Sequence, residues 1–125
     1  MLHAMEAIQT VVTKAYDQFD PVIVNIGWVK AGDPHTTNVI PEVAQFGATI
    51  RTFSQTTHHR IRKDLKQLMD GTASAFGVEV EVTFSNASKV VMNDAKAVAH
   101  VEKTVTELFG AERFETMPFP IPGGE

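Results

Sequence analysis

Hydrophobic residues recur at Met5, Ile8, Val12, Ala15 and Phe19, with Leu2, Val11 and Tyr16 widening the stripe. This three-to-four spacing predicts an amphipathic helix over residues 2–19. Asp20 and Pro21 break it, because proline cannot donate to the helical ladder. The period then drops to two. Val22, Val24, Ile26 and Trp28 alternate with Ile23, Asn25, Gly27 and Val29, which predicts a strand over residues 21–30 with one packed face. Residues 31–37 (AGDPHTT) are turn formers, and Asn38, Val39, Ile40, Pro41 and Glu42 read as a loop entering a second strand. In residues 44–52, Ala44, Phe46, Ala48, Ile50 and Thr52 share one face, while Gln45, Gly47, Thr49 and Arg51 share the other. Two neighbouring strands joined by such a loop are most simply antiparallel.

Ser54 is placed to cap a second helix with Ile61, Leu65, Leu68, Met69, Ala73 and Phe76 as its apolar stripe, and Gly77 stands where a left-handed terminator belongs. Alternation returns over residues 78–84, with Val78, Val80, Val82 and Phe84 against Glu79, Glu81 and Thr83, predicting a half-buried strand. Asn93 or Asp94 then caps a third helix with Val98, Val101, Val105 and Leu108 on one face and Gly110 at its end. The last residues, 117–125, hold three prolines and two glycines and read as loop.

The order helix, strand, strand, helix, strand is that of an α+β fold. It fits a ferredoxin-like split βαββαβ sandwich, an antiparallel sheet with two helices on one face, lacking its first strand and followed by an extra C-terminal helix. An upstream strand is therefore expected, and the first helix begins without a capping residue, as a cut chain would. The tail stops inside a loop, which points to a second cut. These boundaries divide the chain into residues 1–86 and residues 87–125.

A length of 125 residues suits one ordinary domain or slightly more. The net charge of −4 disfavours a generic nucleic-acid binder, and His58, His59, Arg60, Arg62 and Lys63 read as the solvated start of a helix. With no cysteine, neither a disulfide framework nor a thiolate metal site is available, which suits a reducing cytoplasm. No apolar run of about 18 residues exists to cross a membrane. None of His3, His35, His58, His59 and His100 forms a zinc-like pair, and the adjacent His58 and His59 cannot both reach one ion from a regular helix.

Arg51 stands out on the less apolar face of its strand. A guanidinium held by a strand can grip a carboxylate through two parallel hydrogen bonds, and the Asn38 amide can add a donor and an acceptor. By residue type alone, Arg51 reads first as a solvated or ion-paired surface group, and Asn38 as a turn residue.

The runs PVIVNIGWV (residues 21–29), AGD (31–33), NVIPE (38–42) and GATIRTF (47–53) together resemble the lid, or dimerisation, domain of a metallopeptidase group. That group comprises the aminoacylases, hippurate hydrolases and indole-3-acetyl-amino-acid hydrolases (peptidase family M-twenty). AFG (75–77), VMND (91–94), LFGAE (108–112) and PGGE (122–125) extend the resemblance to nearly the whole chain. The combination of NVIP with a downstream GxxxRTF is its most specific part.

The resemblance implies a two-domain amidohydrolase that cleaves N-acyl amino acids or related amides at a divalent metal centre, zinc or manganese. Its lid would pair two subunits edge to edge as a homodimer. Residues 1–86 would then be the lid, and residues 87–125 a piece of the catalytic domain. By position, Asn38 and Arg51 inherit the task of holding the substrate carboxylate, partly across the dimer, and His35, in the loop that relatives aim at the active site, is a further substrate-binding candidate. The metal ligands and general base of the group have no counterparts here, so this piece is expected to bind no metal and to be inactive alone. The competing reading is a free-standing ferredoxin-like dimerisation or amino-acid-binding module without enzymatic activity.

Overall fold

The computed structural model describes residues 1–85, 89 and 91–118 and divides the chain into two units, Met1–Ser88 and Lys89–Glu125. The first unit holds helix α1 (Leu2–Ala15), strands β1 (Val22–Ala31) and β2 (Ala44–Thr52), and helix α2 (Gln55–Phe76). The strands form a two-stranded antiparallel sheet. Both helices pack on one face of it, α1 over β1 and α2 over β2. The α+β class and the arrangement of a ferredoxin-like dimerisation domain are as the sequence predicts.

The core is small and shared by all four elements. Ile8 of α1, Val22 and Val24 of β1, and Ile61 and Leu65 of α2 are buried together, with Val12, Tyr16, Phe46, Ile50, Leu68, Met69 and Phe84 half-buried around them. Ile61 is fully enclosed. Truncating such a side chain to alanine costs about 2–5 kcal/mol in a well-packed interior.

α1 ends earlier than its periodicity predicts. Tyr16 is extended (φ −114°, ψ 146°), Asp17 Oδ1 accepts from the Phe19 N–H at 2.9 Å, and the Asp20 N–H donates to the Asp17 carbonyl. This side-chain turn competes with another helical turn, and it leaves Phe19 79% exposed. Tyr16 instead clips the helices together. Its hydroxyl donates to Asp64 Oδ2 at 2.7 Å, the Arg60 guanidinium lies 4.7 Å from its ring centre, and Arg60 also donates to the Ala15 carbonyl. Burial, and then the hydrogen bond and charge of Asp64, hold the Tyr16 phenol well above its ordinary pKa, with Arg60 opposing.

The start of α2 is fixed as the sequence suggests. The Ser54 hydroxyl accepts from the Thr57 N–H at 3.1 Å, satisfying one of the free N–H groups of the first turn. Asp20 reinforces this from outside the helix, with Oδ2 accepting from both the Ser54 and Thr57 hydroxyls. Gly77 closes α2 at φ 64°, a left-handed conformation that costs glycine nothing.

Two further expectations change. Strand β1 carries a bulge between Ile26 and Trp28: Ile26 pairs with Ala48, and Trp28 with Gly47. The extra residue, Gly27, reverses the alternation. Trp28 therefore lies with Asn25 and Ile23 on the sheet face turned from the helices, and Val29, opposite Phe46, takes the helix side. Gly47 makes this possible, because a Cβ there would stand 2.5 Å from Trp28 Cε2 and 2.9 Å from Cζ2. The second change concerns residues 78–84. Among the described residues they enter no ladder, although Val80, Val82 and Phe84 are half-buried while Glu79, Glu81 and Thr83 are exposed. The segment has a strand's alternation without a strand's hydrogen bonds, because no described strand lies beside it to pair with.

In the second unit, helix α3 (Ala95–Phe109) begins at Asp94, whose Oδ1 accepts from the N–H groups of Lys96 and Ala97 at 2.9 and 3.0 Å. Gly110 ends it, and a short 3-10 turn follows (Ala111–Arg113). No residue of α3 is buried. The expected boundary at residues 86 and 87 and the PGGE ending lie outside the described residues. No helix among those described is long and apolar enough to cross a membrane.

Candidate functional site

The connection between the strands is built by its own turn residues. Gly32, at φ 68°, turns the chain out of β1. Asp33 then organises the residues after it: Oδ1 accepts from the His35 N–H at 2.8 Å, and its carbonyl accepts from the Thr36 N–H at 3.1 Å and the Thr36 hydroxyl at 3.3 Å. The Val39 N–H donates to the Thr36 carbonyl. Pro41 closes back on the loop's start, 3.7 Å from where a Gly32 Cβ would lie. His35 and Asn38 are held in this turn with their side chains exposed. Ile40, 92% exposed, and Val39 and Val43 form an uncovered apolar rim beside them.

Arg51 sits near the far end of β2, opposite Ile23. It is exposed on the face turned from the helices, where the Asn25–Thr49 pair is its neighbour along the sheet. Among the described residues no carboxylate forms an ion pair with it, so its guanidinium is available to an external anion. Arg51 lies seven residue steps along β2 from Ala44, where the loop ends. At about 3.4 Å per residue this is roughly 24 Å. Arg51 and the loop that carries His35 and Asn38 therefore join β2 at opposite ends.

No three His, Asp or Glu side chains among the described residues come together to hold a metal. His58 and His59 lie edge to face, 6.1 Å between ring centres. His3 stacks on Phe76 at 5.2 Å, tying the start of α1 to the end of α2. The described residues thus do not fit the ligand set of a divalent metal centre.

Sequence reasoning missed Asp33 as the organiser of the loop. An Asp directly before Pro between two strands is the signal for such a side-chain turn. It also missed Trp28 on the outward face, which only the bulge reveals.

The chain is 33% identical over 92 residues to N-acetyldiaminopimelate deacetylase of Streptococcus thermophilus (strain ATCC BAA-491 / LMD-9), covering 74% of this chain and 24% of that protein. To the protein of the same name from Halalkalibacterium halodurans it is 30% identical over 97 residues, 78% of this chain and 26% of the relative. With that of Streptococcus suis (strain 05ZYH33) the identity is 26% over 113 residues, 90% of this chain and 29% of the relative. The chain thus spans about a quarter of the length of these relatives. Residues 1–76, which hold α1, both strands, the loop carrying His35 and Asn38, Arg51 and α2, match the family described as the peptidase dimerisation domain, and the chain belongs to that family.

Proposed function

We propose that this chain is the lid of a metal-dependent amidohydrolase acting on N-acyl amino acids, with residues 1–86 forming the dimerising lid and residues 87–125 belonging to a catalytic domain. In this reading it works in the cytoplasm as a homodimer. Its own task is to grip the substrate's carboxylate: Arg51 supplies a two-pronged cationic contact, Asn38 an amide, and His35 a further polar contact from the same turn. The observation that carries the reading is the separation of Arg51 from the loop along β2, together with the absence of an ion-pair partner for Arg51 among the described residues. Both suit a site completed by a second copy.

The deacetylase activity named for the relatives supports the substrate class, an acylated amino group beside a free carboxylate. Zinc or manganese, held by a catalytic domain, would supply the Lewis-acid chemistry of such a reaction. The described residues assemble no ligand set for it, so they hold and orient, and the isolated chain is expected to hydrolyse nothing.

Calorimetric titration of the dimeric chain with an N-acetyl amino acid and with its carboxamide tests this reading. The carboxylate should bind and the carboxamide should bind more weakly. Arg51→Gln should weaken the carboxylate by about tenfold to a hundredfold, as expected for loss of a charge-assisted pair. Equal binding of acid and amide, or an Arg51→Gln chain that binds as well as the parent, would refute it.

A further inference from the structure

We propose that the sheet face turned from the helices extends the carboxylate grip into a binding strip that selects long apolar acyl groups, with Trp28 as the residue that sets the preferred length. This deepens the function proposed above and rests on the grip at Arg51.

The strip follows from the strand register. On the outward face Arg51 stands opposite Ile23, Thr49 opposite Asn25, and Gly47 opposite Trp28. Thr49 and Asn25 are exposed, and a hydroxyl and an amide can each donate and accept a hydrogen bond. Gly47 has no side chain, and the Trp28 indole lies across it, with Cε2 and Cζ2 only 2.5 and 2.9 Å from where a Cβ would stand. The ring therefore sits over β2 itself, in line with Thr49 and Arg51. Trp28 is nevertheless 54% exposed. Two departures from a regular ladder put it there, a bulge in β1 and a glycine in β2. Without the bulge, the alternation begun by Val22 and Val24 would turn residue 28 toward the helices. An indole on the outward face adds nothing to the core, whereas re-aiming a side chain beside a binding site is a recurrent use of bulges.

Charge fixes the sign of the ligand. Neither strand, VIVNIGWVKA or AQFGATIRT, contains Asp or Glu, although the whole chain carries a net charge of −4. Lys30 and Arg51 are the only charged residues of the two strands, so this face suits an anion. Along β2 the order is guanidinium, then hydroxyl and amide, then aromatic plate. An N-acyl amino acid has the matching order of carboxylate, amide and apolar chain. Steps of about 3.4 Å place Thr49 roughly 7 Å from both Arg51 and Gly47. With the substrate amide at Thr49 and Asn25, an acetyl group ends short of the indole. An extended chain advances about 1.3 Å per carbon, so about six carbons or more cross the roughly 7 Å to the ring. Covering the open indole removes apolar surface from water, a gain that the acetyl group does not make.

The test titrates N-octanoylglycine, N-acetylglycine and N-octanoylglycinamide, all below micelle-forming concentrations, into the full 125-residue chain by calorimetry and fluorescence. Trp28 is the only tryptophan, so its emission reports the strip without any substitution. N-Octanoylglycine should bind at least about tenfold tighter than N-acetylglycine and shift the emission to the blue, while N-acetylglycine leaves the emission in place. Trp28→Ala should erase the preference for the longer chain, and Trp28→Phe, which keeps an aromatic ring, should retain part of it. Equal affinity for the two acids, or an unmoved emission, with binding of both still weakened by Arg51→Gln, would overturn the strip and leave the carboxylate grip standing. A preference for the longer chain that survives Trp28→Ala would also overturn the strip. Equal binding of N-octanoylglycine and its amide, or no binding of any of the three, would refute the grip and the strip together.

Discussion

Replacing Gly47 with alanine probes the contact that sets the outward face of the sheet. The new Cβ would lie 2.5 Å from Trp28 Cε2 and 2.9 Å from Cζ2, so the indole must leave its place against β2. Trp28 is 54% exposed, so the ring can swing into solvent and the penalty is bounded by the cover it loses. A tryptophan carries about 250 Å² of surface, and losing a little under half of it at about 25 cal/mol per Å² gives ~3 kcal/mol as an upper limit. Alanine is better than glycine in a strand by about 0.5–1 kcal/mol, which offsets part of this. The net loss is then at most about 2–2.5 kcal/mol, equivalent to a urea midpoint lower by at most roughly 1–1.25 M for a slope near 2 kcal/mol per M. Trp28 is the chain's single tryptophan, so its fluorescence in the folded state should shift to the red at the same time. In a Trp28→Ala background the same Gly47→Ala change, followed by circular dichroism, should become neutral or stabilising. An unchanged midpoint and emission, or an equal loss in both backgrounds, would refute the reasoning.

Asp20→Ala removes the carboxylate that accepts from both Ser54 and Thr57 and should cost about 2–3 kcal/mol in urea unfolding, since a hydrogen bond from buried Thr57 to a charged group contributes about 1.5–3 kcal/mol and the more exposed Ser54 adds less. Asp20→Asn should lose less. Tyr16 has a folded pKa above its unfolded value, so its contribution to stability is fully present below about pH 10 and is lost as the pH rises through the folded value, because the unfolded chain releases the proton first. Tyr16→Phe should flatten the alkaline limb of a stability-against-pH curve relative to the parent, and identical limbs would remove Tyr16 from the account.

Much of this fold is legible in the sequence because local signals agree with one another. Ser54 and Gly77 bracket α2, Asp94 and Gly110 bracket α3, and the apolar stripe of α2 contains its buried apolar residues, Ile61, Leu65 and Ala73. What periodicity could not supply depends on partners distant in the chain. The bulge at Gly27 depends on Trp28 finding a glycine opposite, and the early end of α1 depends on Asp17 folding back on Phe19. Residues 78–84 carry a strand's alternation, but alternation reports burial and is silent about hydrogen-bond partners. For the candidate site, the residue types were readable at Arg51, Asn38 and His35. Their separation was not, because it requires knowing that β2 runs unbroken from Ala44 past Arg51.

The bulge at Gly27 divides β1 into two stretches that obey opposite rules of substitution. Before it, even-numbered positions must stay apolar, as Val22 and Val24 do; after it, Val29 inherits that duty while Trp28 and Lys30 are released to the outside. A relative one residue shorter at this point would keep its loop only by exchanging the characters of positions 28–31. Comparison of β1 across the family should therefore be made in two separate frames, since a single alternating frame would misread every residue from Trp28 to the loop.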